Sequence, residues 1–325
     1  MLSCGKINIM QILDFLKLIR YKNLVIIIIT QYLMRWCVIA PFLNVINYEM
    51  QFSEGLFALL VLATVCIAAA GYAINDYFDI RVDMTNHPDS VVVGTRISRR
   101  WAMTINNVLN FIGVALGFWI SHKIGLLTLG FLFVLVSGGL WFYSALYKRQ
   151  LIIGNLIVAL FAGLVPLLTV IYEIPLLNKI ITPDRPPVEA TAASVIFMYV
   201  AGYSVFAFLT TLAREILKDI EDLEGDNIAG RQTIPVTWGI KTSKAIVVSL
   251  LVLIIALLTI VYVYSFKDFT SFIYLSVFIV LPTLFLIFKL IKASKKGQYH
   301  YISTGIKGIM LAGLFFSILL WFIIK

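Results

Sequence analysis

Six aspartates carry the chemistry in this sequence. Asp76, Asp79 and Asp83 stand in NDYFDIRVD, and Asp219, Asp222 and Asp226 in KDIEDLEGD, each triplet spaced D-x-x-D-x-x-x-D. On a helix, steps of three and four residues keep side chains on one face, so each triplet reads as a stripe of carboxylates. The same spacing recurs 143 residues further along, each time after a long apolar run, which suggests two related halves facing each other. Acidic residues can simply mark where a helix leaves a membrane, but two copies of one spacing argue for a shared task. Six like charges brought together repel unless something neutralises them. Lysines meet part of that need. Mg²⁺ meets it better, because a hard cation favours oxygen ligands and bridges carboxylates to phosphates. Two such ions bridging a diphosphate would use all six carboxylates. The chemistry this serves is departure of diphosphate from an allylic polyprenyl chain, where the metal offsets charge on the leaving oxygens. The carbocation left behind needs a dry, aromatic-lined cavity so that water does not quench it.

The elements that must position these groups lie in a membrane. The chain has 325 residues, 61% hydrophobic and 13% charged, against about 25% charged in ordinary soluble domains. Its mean hydropathy is +0.96. That excludes a cytosolic enzyme, a secreted scaffold and a nucleic-acid module. Three scattered cysteines, Cys4, Cys37 and Cys66, imply neither a disulfide framework nor a zinc site. A helical span needs about 20 apolar residues. Nine candidates follow along the chain, at 24–44, 56–74, 102–121, 124–146, 151–172, 193–213, 244–264, 271–290 and 304–324. The runs are too long for barrel strands, and the first has no small-residue cleavage site after it, which argues against a signal peptide. The segment around 7–19 reads as a short interfacial helix.

Charge sets the orientation. Twenty of the 26 Lys and Arg residues fall in the N-terminal arm, in the loops after spans two, four, six and eight, or in the span ends that border those loops. Basic loops stay on the cytoplasmic side, so the expected topology has a cytoplasmic N-terminus and an external C-terminus, with both aspartate stripes cytoplasmic in a cell membrane.

At the two motifs the sequence resembles the UbiA superfamily of intramembrane prenyltransferases. The family pattern is N-D-x-x-D-x-x-x-D in the first loop and D-x-x-D-x-x-x-D in the second, and both are present in full. Nine helices and the order of the motifs also agree, so the resemblance covers nearly the whole chain. It implies an all-α fold of nine transmembrane helices around a central cavity, forming a single domain over 1–325. It implies that Asn75, Asp76, Asp79 and Asp83 bind one Mg²⁺–diphosphate face, and Asp219, Asp222 and Asp226 the other. It also marks Tyr143, Ser144 and Lys148 in FYSALYKR, with Lys148 near the diphosphate, and the Gly154–Asn155 turn that opens span five. Asn23 in RYKN matches a polar position on the family's first helix, and Lys218 beside the second stripe joins the substrate-binding set. Relatives usually read R-P-x-R-P after the first motif; here Ser90 and Val91 replace the basic-proline pair in NHPDSVVVGTRIS, and Arg96, Arg99 or Arg100 is left to supply the cation.

The second motif, REILKDIEDLEGDNIAGRQTIPVTWGIK, is most similar to the geranylgeranylglycerol-phosphate geranylgeranyltransferases. The resemblance then implies geranylgeranyl diphosphate as donor and a glycerol phosphate ether lipid as acceptor. The alternative is an aromatic acceptor, hydroxybenzoate or dihydroxynaphthoate, in quinone synthesis. A secondary transporter would put its charges near the membrane midplane, whereas these carboxylates sit at span ends. Elsewhere, Arg35 within span one either faces a cavity or pairs with a polar group. His87, His122 and His300 show no ligand spacing and read as loop residues. Glu215 is placed to join the second stripe, while Glu221 and Glu224 read as solvent-facing. Pro166 and Pro282 are candidates for kinks.

Overall fold

Long apolar runs become helices here because lipid offers backbone N–H and C=O groups no other partner. The computed structural model describes residues 9–86, 88–180 and 187–324; Cys4 and His87 lie outside them. A short helix α1, Ile9–Leu18, leads in. Nine helices among the described residues are long and apolar enough to cross a membrane. They are α2 (Tyr21–Val45), α3 (Glu54–Asn86), α4 (Arg99–Lys123), α5 (Leu127–Ala145), α6 (Ile153–Ile180), α7 (Pro187–Glu221), α9 (Ile234–Phe266), α10 (Phe269–Lys292) and α11 (Lys296–Ile324). A six-residue helix α8, Leu223–Ile228, lies between α7 and α9. The described residues form no strand, only an isolated bridge between Val93 and Ile97. The expected all-α, nine-span class holds. Several helices outrun their apolar windows, because charge ends an apolar run without breaking the backbone hydrogen bonds of the helix.

The chain forms two compact units. The first comprises Met1–Ile28 and Glu54–Tyr147. Its α3 and α4 pack so closely that a Cβ on Gly113 would meet Ile67 at 2.7 Å, the close backbone approach that small residues permit in lipid. Outside that seam, Phe111 of α4 is 76% exposed and Trp101 65%, as faces turned to lipid should be. The loop before α4 closes on Gly94, whose φ of +88° few other residues adopt, and whose N–H donates to the Ile97 carbonyl at 2.8 Å. Ser98 then caps α4, accepting from the Trp101 N–H at 3.3 Å. Gly94, Ile97 and Ser98 thus form a turn followed by a helix cap.

The second unit comprises Ile29–Ser53 and Lys148–Lys325. One core joins Leu251, Ile254, Ile279, Leu290, Ile302 and Ile306, and another joins Met34, Ile39, Leu43, Val170, Leu177 and Ile196. Two helices in it widen by one residue just ahead of a proline. In α2 the wide turn covers Met34–Ile39 before Pro41, with the Ala40 N–H donating to the Arg35 carbonyl. In α10 it covers Ser276–Val280 before Pro282, with Leu281 donating to Ser276. The wider register carries the helix past a residue that lacks an N–H and crowds the preceding turn. Pro282 thus follows a wide turn, whereas Pro166 and Pro175 both lie inside α6.

Arg35 is resolved in favour of pairing. Its Nη1 lies 3.7 Å from Glu173 Oε2 and its Nη2 donates to the Phe52 carbonyl at 2.5 Å. Glu173 in turn accepts from the Phe52 N–H at 3.1 Å and the Gln51 N–H at 2.5 Å. Both side chains are almost fully buried, and together they clasp the backbone of the loop between α2 and α3.

Candidate active site

The first stripe stands on one continuous helix. The α3 helix runs past the apolar window through Asn75, Asp76, Asp79 and Asp83 to Asn86, so the three aspartates share a face as their spacing requires. Asp79 is 2% exposed, while Asn75, Asp76 and Asp83 are half-buried. A cation already meets this stripe. Arg20 Nη2 donates to Asp76 Oδ1 at 2.8 Å, and its guanidinium lies 5.1 Å from the Tyr72 ring centre. Burial works against the Arg20 charge, but Asp76, Tyr72 and Asp83 together raise its pKa above the ordinary value.

No local sequence pattern marks Arg20. Its partner is 56 positions away, and it projects from a left-handed backbone, φ 50°, between α1 and α2. The loop arginines have contacts of their own. Arg96 is exposed and pairs with Asp14 of α1 at 3.1 Å, and Arg99 sits 4.8 Å from the Tyr77 ring centre. Val91, which replaces the proline, is buried.

The second stripe departs from the expected single helix. α7 ends at Glu221, Asp222 takes bridge-region angles of φ −95° and ψ 8°, and Asp226 lies on α8. Aspartate suits such a junction because its short polar side chain competes with helix geometry. The break is mild: the Asp222 N–H still donates to the Lys218 carbonyl at 2.8 Å and the Asp226 N–H to the Asp222 carbonyl at 3.0 Å. Asn155, at the start of α6, donates to Asp219 Oδ2 at 2.7 Å, so these two candidate residues are brought together. Asp226 is buried and paired with Arg231 Nη1 at 3.2 Å. Burial pushes the Asp226 carboxyl above its usual range; Arg231 and Lys148 oppose the shift and Asp222 adds to it.

The remaining candidates are distributed around these groups. Lys218 holds Glu215 at 2.6 Å, so Glu215 is tied to a lysine beside the stripe. Lys148 is half-buried in the turn after α5, and its charge is felt at Asp226. Ser144 is buried and donates to the Leu140 carbonyl at 2.9 Å, while Tyr143 beside it is half-buried. Asn23 is half-buried in the first turn of α2. His122 and His300 are helical rather than in loops, and His300 Nδ1 lies 3.1 Å from Glu221, which therefore does not face open solvent.

Among the described residues no three carboxylate, imidazole or thiol groups converge into a closed metal cage. The donor set still suits Mg²⁺. It is all hard oxygen, partly buried, and at Asp76 it has already drawn in a positive charge. Mg²⁺ usually takes only one or two carboxylates and completes its shell with water and phosphate oxygens.

Comparison with known proteins identifies the family. The model of the UbiA prenyltransferase family matches residues 37–303, well over half of the chain. A digeranylgeranylglyceryl phosphate synthase of Methanosphaera stadtmanae is 30% identical over 264 residues, 79% of this chain and 86% of that one. A solved structure of a digeranylgeranylglyceryl phosphate synthase shares the fold with a TM-score of 0.60 at 23% identity, over 94% of this chain and 98% of that one. A UbiA homologue from Archaeoglobus fulgidus, solved bound to DMAPP and Mg²⁺, has a TM-score of 0.52 at 16% identity, over 94% and 99%. With two intact aspartate motifs, nine membrane-length helices and a family match across most of its length, this chain belongs to the UbiA prenyltransferase family.

Proposed function

We propose that this prenyltransferase moves a geranylgeranyl group from geranylgeranyl diphosphate to the free hydroxyl of geranylgeranylglyceryl phosphate. The carbon–oxygen bond to diphosphate breaks, an ether bond forms at the same carbon, and the hydroxyl proton is released. The observation that carries this reading is the 30% identity over 264 residues with the Methanosphaera stadtmanae synthase. The whole chain, 1–325, serves as one catalytic domain on the cytoplasmic side of the cell membrane, an orientation supported by its basic loops.

In this proposal Asp76, Asp79 and Asp83, with Asn75, hold one Mg²⁺, and Asp219, Asp222 and Asp226 hold a second. Mg²⁺, when bound, supplies charge stabilisation to the departing diphosphate. The protein's own residues do the rest. Asn155 fixes the Asp219 carboxylate by a hydrogen bond. Lys148 and Lys218 add positive charge next to the second stripe, and Arg96 adds it in the loop after the first. Tyr143, Ser144 and Asn23 line the substrate as uncharged polar groups. Apolar helix walls keep water from the reacting carbon.

An acceptor screen tests this reading. Purified protein with Mg²⁺ and radiolabelled geranylgeranyl diphosphate is offered geranylgeranylglyceryl phosphate, 4-hydroxybenzoate and 1,4-dihydroxy-2-naphthoate in parallel. Label is expected on the glycerol phosphate lipid alone. Label on an aromatic ring would reassign the enzyme to quinone synthesis.

A further inference from the structure

The cation found on the first stripe is part of the chain. Arg20 reaches Asp76 at 2.8 Å, feels Asp83 as well, and packs over Tyr72. Its side chain is 39% exposed and that of Asp76 is 18% exposed. Its backbone sits in the left-handed region, φ 50°, uncommon for a side chain of this size. The residue is bracketed by two anchored elements. On one side α1 is tied by Asp14 to Arg96; on the other, the Asn23 and Leu24 N–H groups bond to the Arg20 carbonyl. From that position the side chain delivers a guanidinium to Asp76.

An arginine on Asp76 Oδ1 and a divalent cation on the same carboxylate compete for one negative charge. A guanidinium does, however, match phosphate oxygens as well as it matches carboxylate. We infer that Arg20 is a resident counter-ion of the first aspartate stripe, which holds Asp76 while no metal is bound and passes to the diphosphate when Mg²⁺ takes the carboxylate. This rests on the reading above that the first stripe binds Mg²⁺ and diphosphate. It makes Arg20 a positioning residue with two partners, one in each state, and it gives the chain a means of keeping the carboxylates paired between turnovers.

Such an exchange has an uncommon signature, because removing the arginine should shift two affinities in opposite directions. The full chain in detergent is titrated calorimetrically with Mg²⁺ alone, and separately with inorganic diphosphate at saturating Mg²⁺. Arg20→Gln should bind Mg²⁺ alone about two- to fivefold more tightly, the scale of a partly exposed ion pair whose competition is lost. The same variant should bind diphosphate about tenfold more weakly, having lost a charge-assisted hydrogen bond. Arg20→Lys, which keeps the charge and the fold, should fall between wild type and Arg20→Gln in both titrations. Unchanged affinities, or two shifts of the same sign, overturn the exchange and leave Arg20 a strut. Failure of the wild type itself to bind diphosphate with Mg²⁺ overturns the metal-site reading, and the exchange with it.

Discussion

At the scale of single residues, the aspartates are separable from the fold that carries them. Asp79 and Asp222 sit at the centres of their triplets. Asp79→Ala or Asp222→Ala should abolish turnover while the protein inserts and unfolds normally, read by product formation beside a thermal melt. Full activity in either variant contradicts the proposed clamp. Asp226 makes a pH prediction. Burial raises its folded pKa above the unfolded value, so the folded state holds the proton more tightly. Its contribution to stability is therefore complete at low pH and is lost as pH climbs through the raised value. The melting temperature of wild type relative to Asp226→Asn should fall over that range in EDTA, and Mg²⁺ should flatten the difference; a difference that grows with pH would refute the shift. The aspartates were legible because their helical spacing is local. Arg20 was not, since its role depends on a backbone angle and on a partner 56 residues away. Asn155 was marked by resemblance alone, and its bond to Asp219 spans 64 residues.

At the scale of elements, apolar length announced all nine spans, because lipid leaves such runs a single solution. Their ends were less legible. Hydropathy falls at Ile74 while α3 continues to Asn86, since charge ends an apolar run without ending a helix. The wide turns before Pro41 and Pro282 had a signal in the prolines themselves. The break at Asp222 had little, because its flanking hydrogen bonds remain helical. The clasp formed by Arg35 and Glu173 belongs to this scale, since it joins two helices to one loop. Arg35→Met should lower stability by about 3 kcal/mol, because it leaves a buried carboxylate without its charged partner. Thermal unfolding in detergent measures this, and a melt unchanged from wild type would show that the clasp is energetically idle.

At the scale of the whole molecule, the proposed reaction requires one orientation and one metal dependence. With the native cysteines replaced, Lys295→Cys should react with an impermeant thiol reagent from the cytoplasmic side and Lys267→Cys from the outside; the reverse labelling would invert the topology drawn from the basic loops. Family and fold were legible through two motifs and nine apolar runs, whereas the acceptor depends on side chains lining a space that neither periodicity nor charge describes. The most direct measurement of the central claim is a stoichiometry. Purified protein is given geranylgeranyl diphosphate and geranylgeranylglyceryl phosphate, and released diphosphate is quantified against the diether product by mass spectrometry, with Mg²⁺ and with EDTA. One diether per diphosphate, formed with Mg²⁺ and abolished by EDTA, is the predicted result. Diether formation in EDTA, or diphosphate release with no diether, would contradict it.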